Sequence, residues 1–345
     1  MTKDFLDFIK DYEEDHNTKI ILDLPQIRAI STGSLSLDAC IGVGGIPTGR
    51  LTIFAGAEST AKTTAAIITA KNAILLGMKV LFVDAENMLN FDYAKKLIGE
   101  ENFYDEKTNP KGKFIVLQPD MAEHVLDVIG KAILSGEFGL IILDSTGALS
   151  PKAEKDKQDM EAQTVALVPR LMSKFLRVYF HYIRESNTAL LFISQIRDKI
   201  GVFSRMKLYE LPGGHAMKHA ASVIVWFFKD KKIKLIDEVV GQNIRFSIDK
   251  NKVSEPYRGY IFPLMWKGGI DTCMDSLDFC VTLGIIQKNG PYYKYKEVNI
   301  GRGYKAALQY LRDNPDFVQM LREDAINGIT ALVVPPEDDE DEEEV

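Results

Sequence analysis

The chain has 345 residues, of which 46% are hydrophobic and 26% charged, a composition typical of a globular protein with a sizeable core. Its formal net charge is −7, but the terminal segment PPEDDEDEEEV holds eight acidic residues and no basic ones, so the rest of the chain is close to neutral. No apolar run approaches the roughly 18 residues that would span a bilayer, and the charged N-terminus resembles neither a signal nor a transit peptide, so we expect a cytoplasmic protein with no membrane contact.

Residues 1–29 predict an N-terminal helical arm. Phe5, Phe8, Ile9 and Tyr12 recur at helical spacing, and an extended stretch follows them. One amphipathic helix cannot bury its apolar face alone, so it must pack on a neighbouring subunit or on the chain's own core. The sequence leaves both possibilities open.

Residues 30–270 predict an α/β core. Short, nearly continuous apolar runs alternate with segments of helical periodicity, which favours a mainly parallel, twisted sheet flanked by helices on both faces. After residue 220, three strands follow one another without helices and predict an added antiparallel portion. The predicted strands are 51–55, 80–84, 114–118, 140–144 and 189–194, then the segments ASVIVWFF, NIRFSID and RGYIFPL.

Residues 271–333 contain short amphipathic helices around a hairpin-like YYKYK segment, and predict a small α+β C-terminal domain. Residues 334–345 are an acidic run of a kind that is normally disordered. Such a tail either aids solubility or competes, as a tethered polyanion, with nucleic acid for a basic groove, and composition does not separate the two. The three cysteines lack a C-x-x-C pair and predict neither a disulfide framework nor a zinc site.

The stretch GAESTAKTT lies between a predicted strand and a predicted helix. It matches the phosphate-loop pattern G-x-x-x-x-G-K-[ST], except that Ala61 stands where the second glycine belongs. At such a turn backbone N–H groups and the helix dipole favour an anion, Lys62 can reach the terminal phosphates, and Thr63 can bind Mg²⁺. The nucleotide-binding candidates are Gly56, Ala57, Glu58, Ser59, Thr60, Ala61, Lys62, Thr63 and Thr64.

Polar residues also end three other strands. VLFVDAE ends with Asp84 and Glu86, and LIILDS with Asp144. Carboxylates at the carboxyl ends of parallel strands face the ligand crevice, where Asp144 could hold magnesium and Glu86 could deprotonate an attacking water. The alternative is that these acids only cap helices. Gln195, at the end of the next strand, could sense the terminal phosphate.

Two irregular segments border this predicted site. AEKDKQDMEAQTV follows Asp144 and leads into a basic helix, and the segment 197–214 interleaves basic and apolar residues. Basic side chains suit a nucleic-acid backbone, and apolar ones can wedge between bases. Each segment alone would more often be solvated surface, but both leave the sheet on the nucleotide side, which favours DNA binding. Their main candidates are Arg170, Ser173, Lys174 and Arg177 on the helix, and Arg197, Lys199, Ile200, Val202, Phe203, Arg205 and Lys207 in the second segment.

The ordered set of motifs resembles that of the bacterial RecA recombinases. The resemblance runs from about residue 30 to 270, continues more weakly through the C-terminal domain, and implies a RecA-like P-loop NTPase core. Divergence and the short N-terminal arm are compatible with a bacteriophage-borne member. The matching segments are ISTGSLSLDACIGVGGIPTGR, GAESTAKTT, FVDAENML, LIILDSTGALSPKAE, SNTALLFISQIRDKIGV and PGGHAMKHAAS.

By position, the resemblance implies roles for single residues. Glu86 matches the catalytic base, Asp144 the magnesium-binding acid and Gln195 the phosphate sensor. Lys250 and Lys252 match lysines that clamp the nucleotide of a neighbouring protomer, although by residue type alone they would be surface lysines on a strand edge. The remaining matches are Tyr93, which would stack on adenine, Val165 and Ile200, which would separate base triplets, and Arg170, Ser173, Arg177, Gly213 and Gly214, which would contact the DNA backbone.

Four positions depart from the family pattern. Ala61 replaces a glycine, and we expect its methyl group to crowd the phosphates and weaken nucleotide use. Asn90 stands where an acidic adenine contact is usual, His219 replaces an aromatic residue after the second DNA segment, and Trp266 replaces a tyrosine near the interface. These changes affect the expected affinity, nucleotide choice and cooperativity.

The resemblance implies an ATP- and Mg²⁺-dependent recombinase that forms a helical homo-oligomeric filament on single-stranded DNA and exchanges strands with double-stranded DNA. Lys62, Glu86, Gln195, Lys250 and Lys252 would be its catalytic residues, and single-strand-binding and loader proteins are candidate partners. Two alternatives remain: a RecA-fold DNA motor or helicase, and a filament protein that binds ATP without hydrolysing it. DNA-stimulated phosphate release and strand exchange without unwinding distinguish the three.

Overall fold

The computed structural model describes residues 7–8, 10–12, 27–155, 167–198, 209–210 and 214–329. Residues 7–8 and 10–12 are helical, in agreement with the sequence, and they expose Phe8 and Tyr12 with ring centroids 6.0 Å apart. Within these ranges, every helix is too short or too polar to cross a membrane.

Nine strands of the described chain form one sheet. Its spatial order is β13-β12-β11-β10-β3-β7-β6-β4-β5. The neighbouring strands in the part β10-β3-β7-β6-β4-β5 are parallel, and those in the part β13-β12-β11-β10 are antiparallel. The predicted parallel sheet with an antiparallel extension is therefore confirmed. The strands are β1 (Ala29–Ile30), β2 (Ile46–Pro47), β3 (Leu51–Gly56), β4 (Lys79–Asp84), β5 (Phe114–Leu117), β6 (Phe138–Asp144), β7 (Ala189–Gln195), β8 (Arg197–Asp198), β9 (Tyr209–Glu210), β10 (Val223–Leu235), β11 (Glu238–Asn251), β12 (Gly259–Met265), β13 (Gly269–Ile270), β14 (Ile286–Asn289), β15 (Tyr292–Tyr295) and β16 (Val298–Arg302).

Helices cover both faces of this sheet. One face packs against α1, α2, α3 and the C-terminal helices, and the other packs against α4, α6 and α7. Burial on both faces explains why the parallel strands are almost continuously apolar. The helices are α1 (Leu35–Ile41), α2 (Lys62–Leu75), α3 (Phe91–Ile98), α4 (Ala122–Ser135), α5 (Lys152–Lys155), α6 (Leu167–Glu185), α7 (Gly214–Ala220), α8 (Thr272–Thr282), α9 (Tyr304–Asp313) and α10 (Pro315–Gly328).

The C-terminal part contains the small antiparallel sheet β14-β15-β16 and the helices α8, α9 and α10. The central strand β15 covers the first four residues of the YYKYK segment and pairs with both of its neighbours, in agreement with the predicted hairpin. Leu277 and Phe279 of α8 belong to the same apolar cluster as Phe246 and Phe262 of the main sheet. The core is therefore continuous across residue 271, and the domain boundary there stays a prediction.

A buried polar contact joins the two parts. Asp275 of α8 accepts hydrogen bonds from Ser34 Oγ at 2.8 Å, Ser36 N at 3.1 Å and Ser36 Oγ at 2.6 Å. Burial raises the pKa of Asp275 to about 6, while the bonds from Ser36 and Ser34 oppose this shift. Arg322 of α10 donates to buried Asp38 of α1 at 2.6 Å. The N-cap and first turn of α1 thus contact both α8 and α10 of the C-terminal part.

Candidate nucleotide and DNA site

The phosphate loop joins the end of β3 to the start of α2. Gly56 ends the strand so close to β10 that an added Cβ would lie 2.5 Å from the carbonyl oxygen of Phe227 and 2.8 Å from Thr60 Oγ1. The loop turns through Ser59, at φ 58°, and Ala61, at φ 68°, before α2 begins at Lys62. The N–H groups of the first turn of α2 are then available to an anion.

Ala61 has a left-handed backbone, with φ 68° and ψ 10°. This conformation costs an L-residue about 1–2 kcal/mol relative to a right-handed one, and glycine avoids the cost. The methyl group is nearly buried, with 9% of the residue exposed, and belongs to the apolar cluster of that sheet face. The structure therefore identifies a conformational reason for glycine at this position; the expected crowding of phosphates stays a prediction.

Lys62 folds back onto its own loop. Its Nζ donates to Ala57 O at 2.5 Å and to Thr60 Oγ1 at 3.3 Å, and only 6% of the residue is exposed. Burial lowers the pKa of Lys62 to about 8, and the charges of Asp144 and Glu86 oppose this shift. The ammonium group therefore sits inside the loop at the point where phosphate oxygens would replace its present partners.

Thr63 and Asp144 form a pair of oxygen ligands. Thr63 Oγ1 donates to Asp144 Oδ2 at 2.7 Å. Burial raises the pKa of Asp144 to about 6, with the bond from Thr63 lowering it and the charge of Glu86 raising it. A hydroxyl and a carboxylate in contact are the hard oxygen donors that Mg²⁺ prefers.

Glu86 lies at the centre of a second group of hydrogen bonds. Both Ser145 Oγ and Gln195 Nε2 donate to Glu86 Oε1, the latter at 2.8 Å. Both bonds fall on Oε1, and no described residue donates a hydrogen bond to Oε2. The partnership with Gln195 joins two predicted site residues, whereas the sequence did not point to Ser145, whose only signal is its position directly after Asp144.

Asp84, the third strand-end acid, has a different environment. Its carboxylate accepts from Met88 N at 3.4 Å, from Leu89 N at 3.1 Å and from Gln118 Nε2 at 2.9 Å. These bonds stabilise the turn that carries Glu86 into the site. Neither Glu86 nor Asp144 caps a helix among the described residues, so the helix-cap alternative fails for both of them.

A cleft of about 240 Å³ opens beside the loop. Asn90 is the N-cap of α3, where its Oδ1 accepts from Tyr93 N at 2.9 Å, and this bond sets Tyr93 on the wall of the cleft. The lining residues are Thr63, Thr64, Ile67, Asp84, Glu86, Met88, Leu89, Asn90, Tyr93 and Asp144.

On the DNA side, the structure describes part of the predicted surface. Arg170, Ser173 and Arg177 are exposed along α6. Gly214 begins α7 at φ 75°, where an added Cβ would lie 3.2 Å from Pro169 of α6, so the two helices meet at this glycine. The backbone of Arg197 lies in β8, which pairs with β9. Val165, Lys199, Ile200, Val202, Phe203, Arg205, Lys207 and Gly213 lie outside the described residues.

Comparison with known proteins assigns the chain to a family. The family model described as RecA N-terminal domain matches residues 8–271, and the RecA C-terminal domain matches residues 274–328. This chain belongs to the RecA family. Protein RecA of Campylobacter jejuni subsp. jejuni (strain 81-176) is 35% identical over 324 residues, covering 93% of this chain and 91% of the relative. Protein RecA of Thermus aquaticus is 36% identical over 318 residues, covering 92% and 90%, respectively.

The family resemblance inferred from the motifs is thus confirmed, and the protein is a RecA-type recombinase. RecA-type recombinases are ATP- and DNA-binding proteins of DNA recombination and repair. The observed mainly parallel sheet, flanked by helices and followed by a small α+β part, agrees with the RecA-like fold predicted above.

Lys250 and Lys252 of this RecA-family chain lie away from its own phosphate loop. Lys250 is opposite Ile224 in the sheet, and Ile224 is opposite Ile53, three residues before the end of β3. At about 3.3 Å per residue, this register places Lys250 roughly 10 Å back along the strand direction from the end of β3 that carries the loop. Lys250 also lies two strands away from β3 in the sheet. The two lysines therefore do not join the cleft that the chain itself forms.

The same two lysines contact the last turn of α7. Lys250 Nζ donates to Lys218 O at 2.5 Å and to His219 O at 3.0 Å, and Lys252 Nζ donates to His219 O at 3.2 Å. Burial, followed by the charge of Lys252, lowers the pKa of Lys250. These ammonium groups satisfy carbonyls at a helix C-terminus, where cations are favoured. His219 and Trp266, two departures from the RecA pattern, are both exposed.

Proposed function

We propose that this RecA-family protein is an ATP-dependent recombinase that polymerises on single-stranded DNA, pairs it with a homologous duplex and exchanges strands. We also propose that DNA stimulates its hydrolysis of ATP to ADP and phosphate. One observation carries this proposal: the hydrogen bond from Gln195 to Glu86 links the carboxylate beside the phosphate loop to the strand end that leads directly into β8 and the second DNA segment.

Binding of the triphosphate begins with Lys62. Its ammonium group exchanges Ala57 O and Thr60 Oγ1 for phosphate oxygens, while N–H groups of the first turn of α2 contact the same anion. Because Lys62 is almost fully buried, its charge would interact strongly with a phosphate bound in the loop.

The Thr63 and Asp144 oxygens fit a magnesium ion. Their 2.7 Å hydrogen bond would be replaced by contacts to the ion or to its bound waters. When bound, magnesium neutralises charge on the β- and γ-phosphates. A cation bound by these oxygens would oppose the rise in the pKa of Asp144 that burial causes, as the charge of Lys62 already does in part.

Glu86 is the proposed general base. Ser145 and Gln195 hold its Oε1, which leaves Oε2 to accept a proton from the attacking water. The water oxygen forms a bond to the γ-phosphorus, the bond to the β–γ bridging oxygen breaks, and ADP departs with that oxygen. When the γ-phosphate leaves, Gln195 loses its contact with that phosphate. The resulting movement of Gln195 passes to the second DNA segment, which follows it in the chain.

Lys250 and Lys252 act on a neighbouring protomer's nucleotide. The sheet register supports this assignment, because it places Lys250 away from the chain's own loop, and neither lysine lines the cleft beside that loop. In a filament they exchange helix carbonyls for phosphate oxygens and neutralise charge in the manner of an arginine finger. A nucleotide between protomers then stabilises the filament, and its hydrolysis weakens it.

DNA is held by α6 and the two segments beside it. Arg170, Ser173, Arg177 and Gly214 would contact DNA phosphates. Tyr93 has a separate role, because it would stack on the adenine of the nucleotide in the cleft. Binding is then sensitive to salt and independent of sequence, and base pairing between strands supplies the homology search. Single-strand-binding and loader proteins are the candidate protein partners.

The proposal is tested by phosphate release from ATP with and without single-stranded DNA, together with electron microscopy of the same sample. We expect filaments on DNA and stimulated release that Lys62→Ala abolishes. Filaments without release above background would favour the non-hydrolysing alternative. Duplex unwinding without strand-exchange product would favour the motor.

A further inference from the structure

Two buried hydroxyl groups meet next to the residues that hold Glu86. Thr146 Oγ1 donates to Ser194 Oγ at 3.2 Å, and the two residues are only 1% and 0% exposed. Each is the chain neighbour of a residue that donates to Glu86, because Thr146 follows Ser145 and Ser194 precedes Gln195. A direct bond therefore joins the two chain segments that hold the proposed base.

This bond continues a connection that the sheet backbone no longer makes. Backbone pairing between β6 and β7 ends at Leu143 and Phe192. Beyond this point β6 ends at Asp144 and the chain turns into a short 3₁₀ helix at Thr146–Ala148, whereas β7 continues to Gln195 beside β3. Because the two strands separate here, side chains must supply any further contact. The hydroxyl pair supplies it, at the place where the chain leaves the sheet towards the two predicted DNA segments.

Together with Glu86, the hydroxyl pair closes a ring of hydrogen bonds. The ring runs from Glu86 to Ser145, along the chain to Thr146, across to Ser194, along the chain to Gln195 and back to Glu86. A buried hydrogen-bond network of this kind is rigid when its members are satisfied. The two donors to Glu86 Oε1 cannot move apart unless a bond of the ring breaks.

We propose that Thr146 and Ser194 are positioning residues whose bond keeps both donors on Glu86 and makes the two DNA segments act on it together. This inference rests on the proposed DNA-dependent hydrolysis and deepens its regulation. A movement of the first segment reaches Ser145 through Thr146, and a movement of the second reaches Gln195 directly. With the bond in place, either movement reorients the same carboxylate. Neither hydroxyl lines the nucleotide cleft, so ATP binding should not depend on the bond.

Substitutions at the pair separate this role from simple support of the fold. Thr146→Val removes the donor at similar volume, whereas Thr146→Ser keeps the donor and loses a buried methyl group. The double variant Thr146→Val, Ser194→Ala replaces both partners by apolar groups, which is nearly neutral for stability when no polar group is left unpaired. If the bond only supports the fold, the double variant should regain activity together with stability. If the bond positions Glu86, activity should stay low.

Thr52→Val is the matched control. Thr52 is fully buried in β3, which pairs with β7, and its Oγ1 has no hydrogen-bond partner in the part of the chain that the structure describes. The substitution therefore makes the same chemical change beside the same strand without breaking a bond. It shows what the loss of a buried threonine hydroxyl does by itself.

The experiment uses the full-length protein with magnesium. Phosphate release is measured over a range of ATP concentrations, with and without single-stranded DNA, so that kcat is separated from KM. The affinity for fluorescently labelled single-stranded DNA is measured by anisotropy with ATP and with ADP, because the ratio of the two affinities reports the coupling between the nucleotide and DNA sites. Denaturant titration gives the stability of every variant.

For Thr146→Val and the double variant, we expect kcat with DNA to fall about three- to tenfold, while KM for ATP stays within about twofold of the native value. The ratio of DNA affinities with ATP and ADP should shrink by a similar factor. Thr146→Ser and Thr52→Val should keep native kcat and the native ratio.

Three results would each overturn the inference alone: native kcat in Thr146→Val, recovery of kcat in the double variant, or an equal loss in Thr146→Ser and Thr146→Val. The last result would assign the effect to packing of the side chain rather than to its hydroxyl group. Absence of DNA-stimulated release in the native protein would instead refute the proposed function.

Discussion

Gln195 Nε2 donates to Glu86 Oε1 at 2.8 Å, and Gln195 is the last residue of β7. The second DNA segment begins two residues later. We predict that Gln195→Ala lowers DNA-stimulated phosphate release at least tenfold while changing ATP affinity much less, because the bond would orient Glu86, the proposed general base, rather than hold the nucleotide. Gln118→Ala is the matched control, since Gln118 makes the equivalent bond to Asp84 at 2.9 Å. Equal losses in both variants would argue against a coupling role.

Lys250 and Lys252 should act across the interface between protomers. The doubly substituted Lys250→Ala, Lys252→Ala protein keeps Glu86, and Glu86→Ala keeps both lysines. In the proposed filament the contacts would be head-to-tail, so about a quarter of the interfaces in an equal random mixture should contain every proposed catalytic group. Phosphate release should recover in proportion, although each variant alone is inactive. A mixture of Glu86→Ala with the triple variant is the control, and absence of recovery would remove the assignment in trans.

The left-handed backbone at Ala61 makes a prediction about stability. Ala61→Gly should raise the free energy of unfolding of the nucleotide-free protein by about 1 kcal/mol, because glycine adopts this conformation without a Cβ penalty. Ala57→Gly, in the same loop but without a positive φ, should lower it by about 0.5–1 kcal/mol. Denaturant titration measures both, and a loss of stability in both would contradict the explanation. ATP affinity of Ala61→Gly tests the separate expectation of phosphate crowding.

Two exposed arginines on α6 should contact DNA phosphates. Arg170 and Arg177 are seven residues apart, or about 10 Å along the helix. Their combined replacement by alanine should weaken binding to single-stranded DNA of any sequence and reduce the slope of log affinity against log salt concentration by about 0.7 per arginine. Lys131→Ala on α4 is the control, because that lysine is exposed but ion-paired with Asp127 at 2.7 Å. An unchanged slope in the arginine variant would place the DNA elsewhere.

Buried Asp275 should make stability depend on pH. Its folded pKa of about 6 is raised above the ordinary value of 3.8, so its favourable contribution is complete below that value and is lost as pH rises through about 6. Relative to Asp275→Asn, the free energy of unfolding of the native protein should therefore fall between about pH 4 and pH 7, by up to about 3 kcal/mol, and then level off. Asp316→Asn, at an exposed position in α10, serves as the control. A pH-independent difference would contradict the prediction.

Much of the core could be predicted because its information is local. The parallel strands are buried on both faces and therefore appear as apolar runs; β6 begins only two residues before its predicted start at residue 140. The phosphate loop and the strand-end acids are likewise contained in short segments. The left-handed turn at Ala61 could be anticipated only as a missing glycine, since a dihedral angle leaves no other mark on residue type.

Other features depend on contacts between distant residues and have no local signature. Ser145 reaches Glu86 across 59 residues, and Ser34 reaches Asp275 across 241. Ser34, Ser36 and Asp275 lie at two short helices far apart in the sequence, and their residue types alone do not predict that they are in contact. The location of Lys250 also depends on the register of β11 against β10 and β3, which only the folded sheet defines.

Helix α1 has seven residues, yet its N-terminal serines hold α8 and its Asp38 holds α10. This arrangement affects how recombinant chimeras within the RecA family should be designed. A C-terminal part transplanted from a relative brings only half of a two-sided buried contact. The donor segment should therefore be accompanied by residues 31–41 from the same parent, even though more than 200 residues of the recipient separate the two pieces.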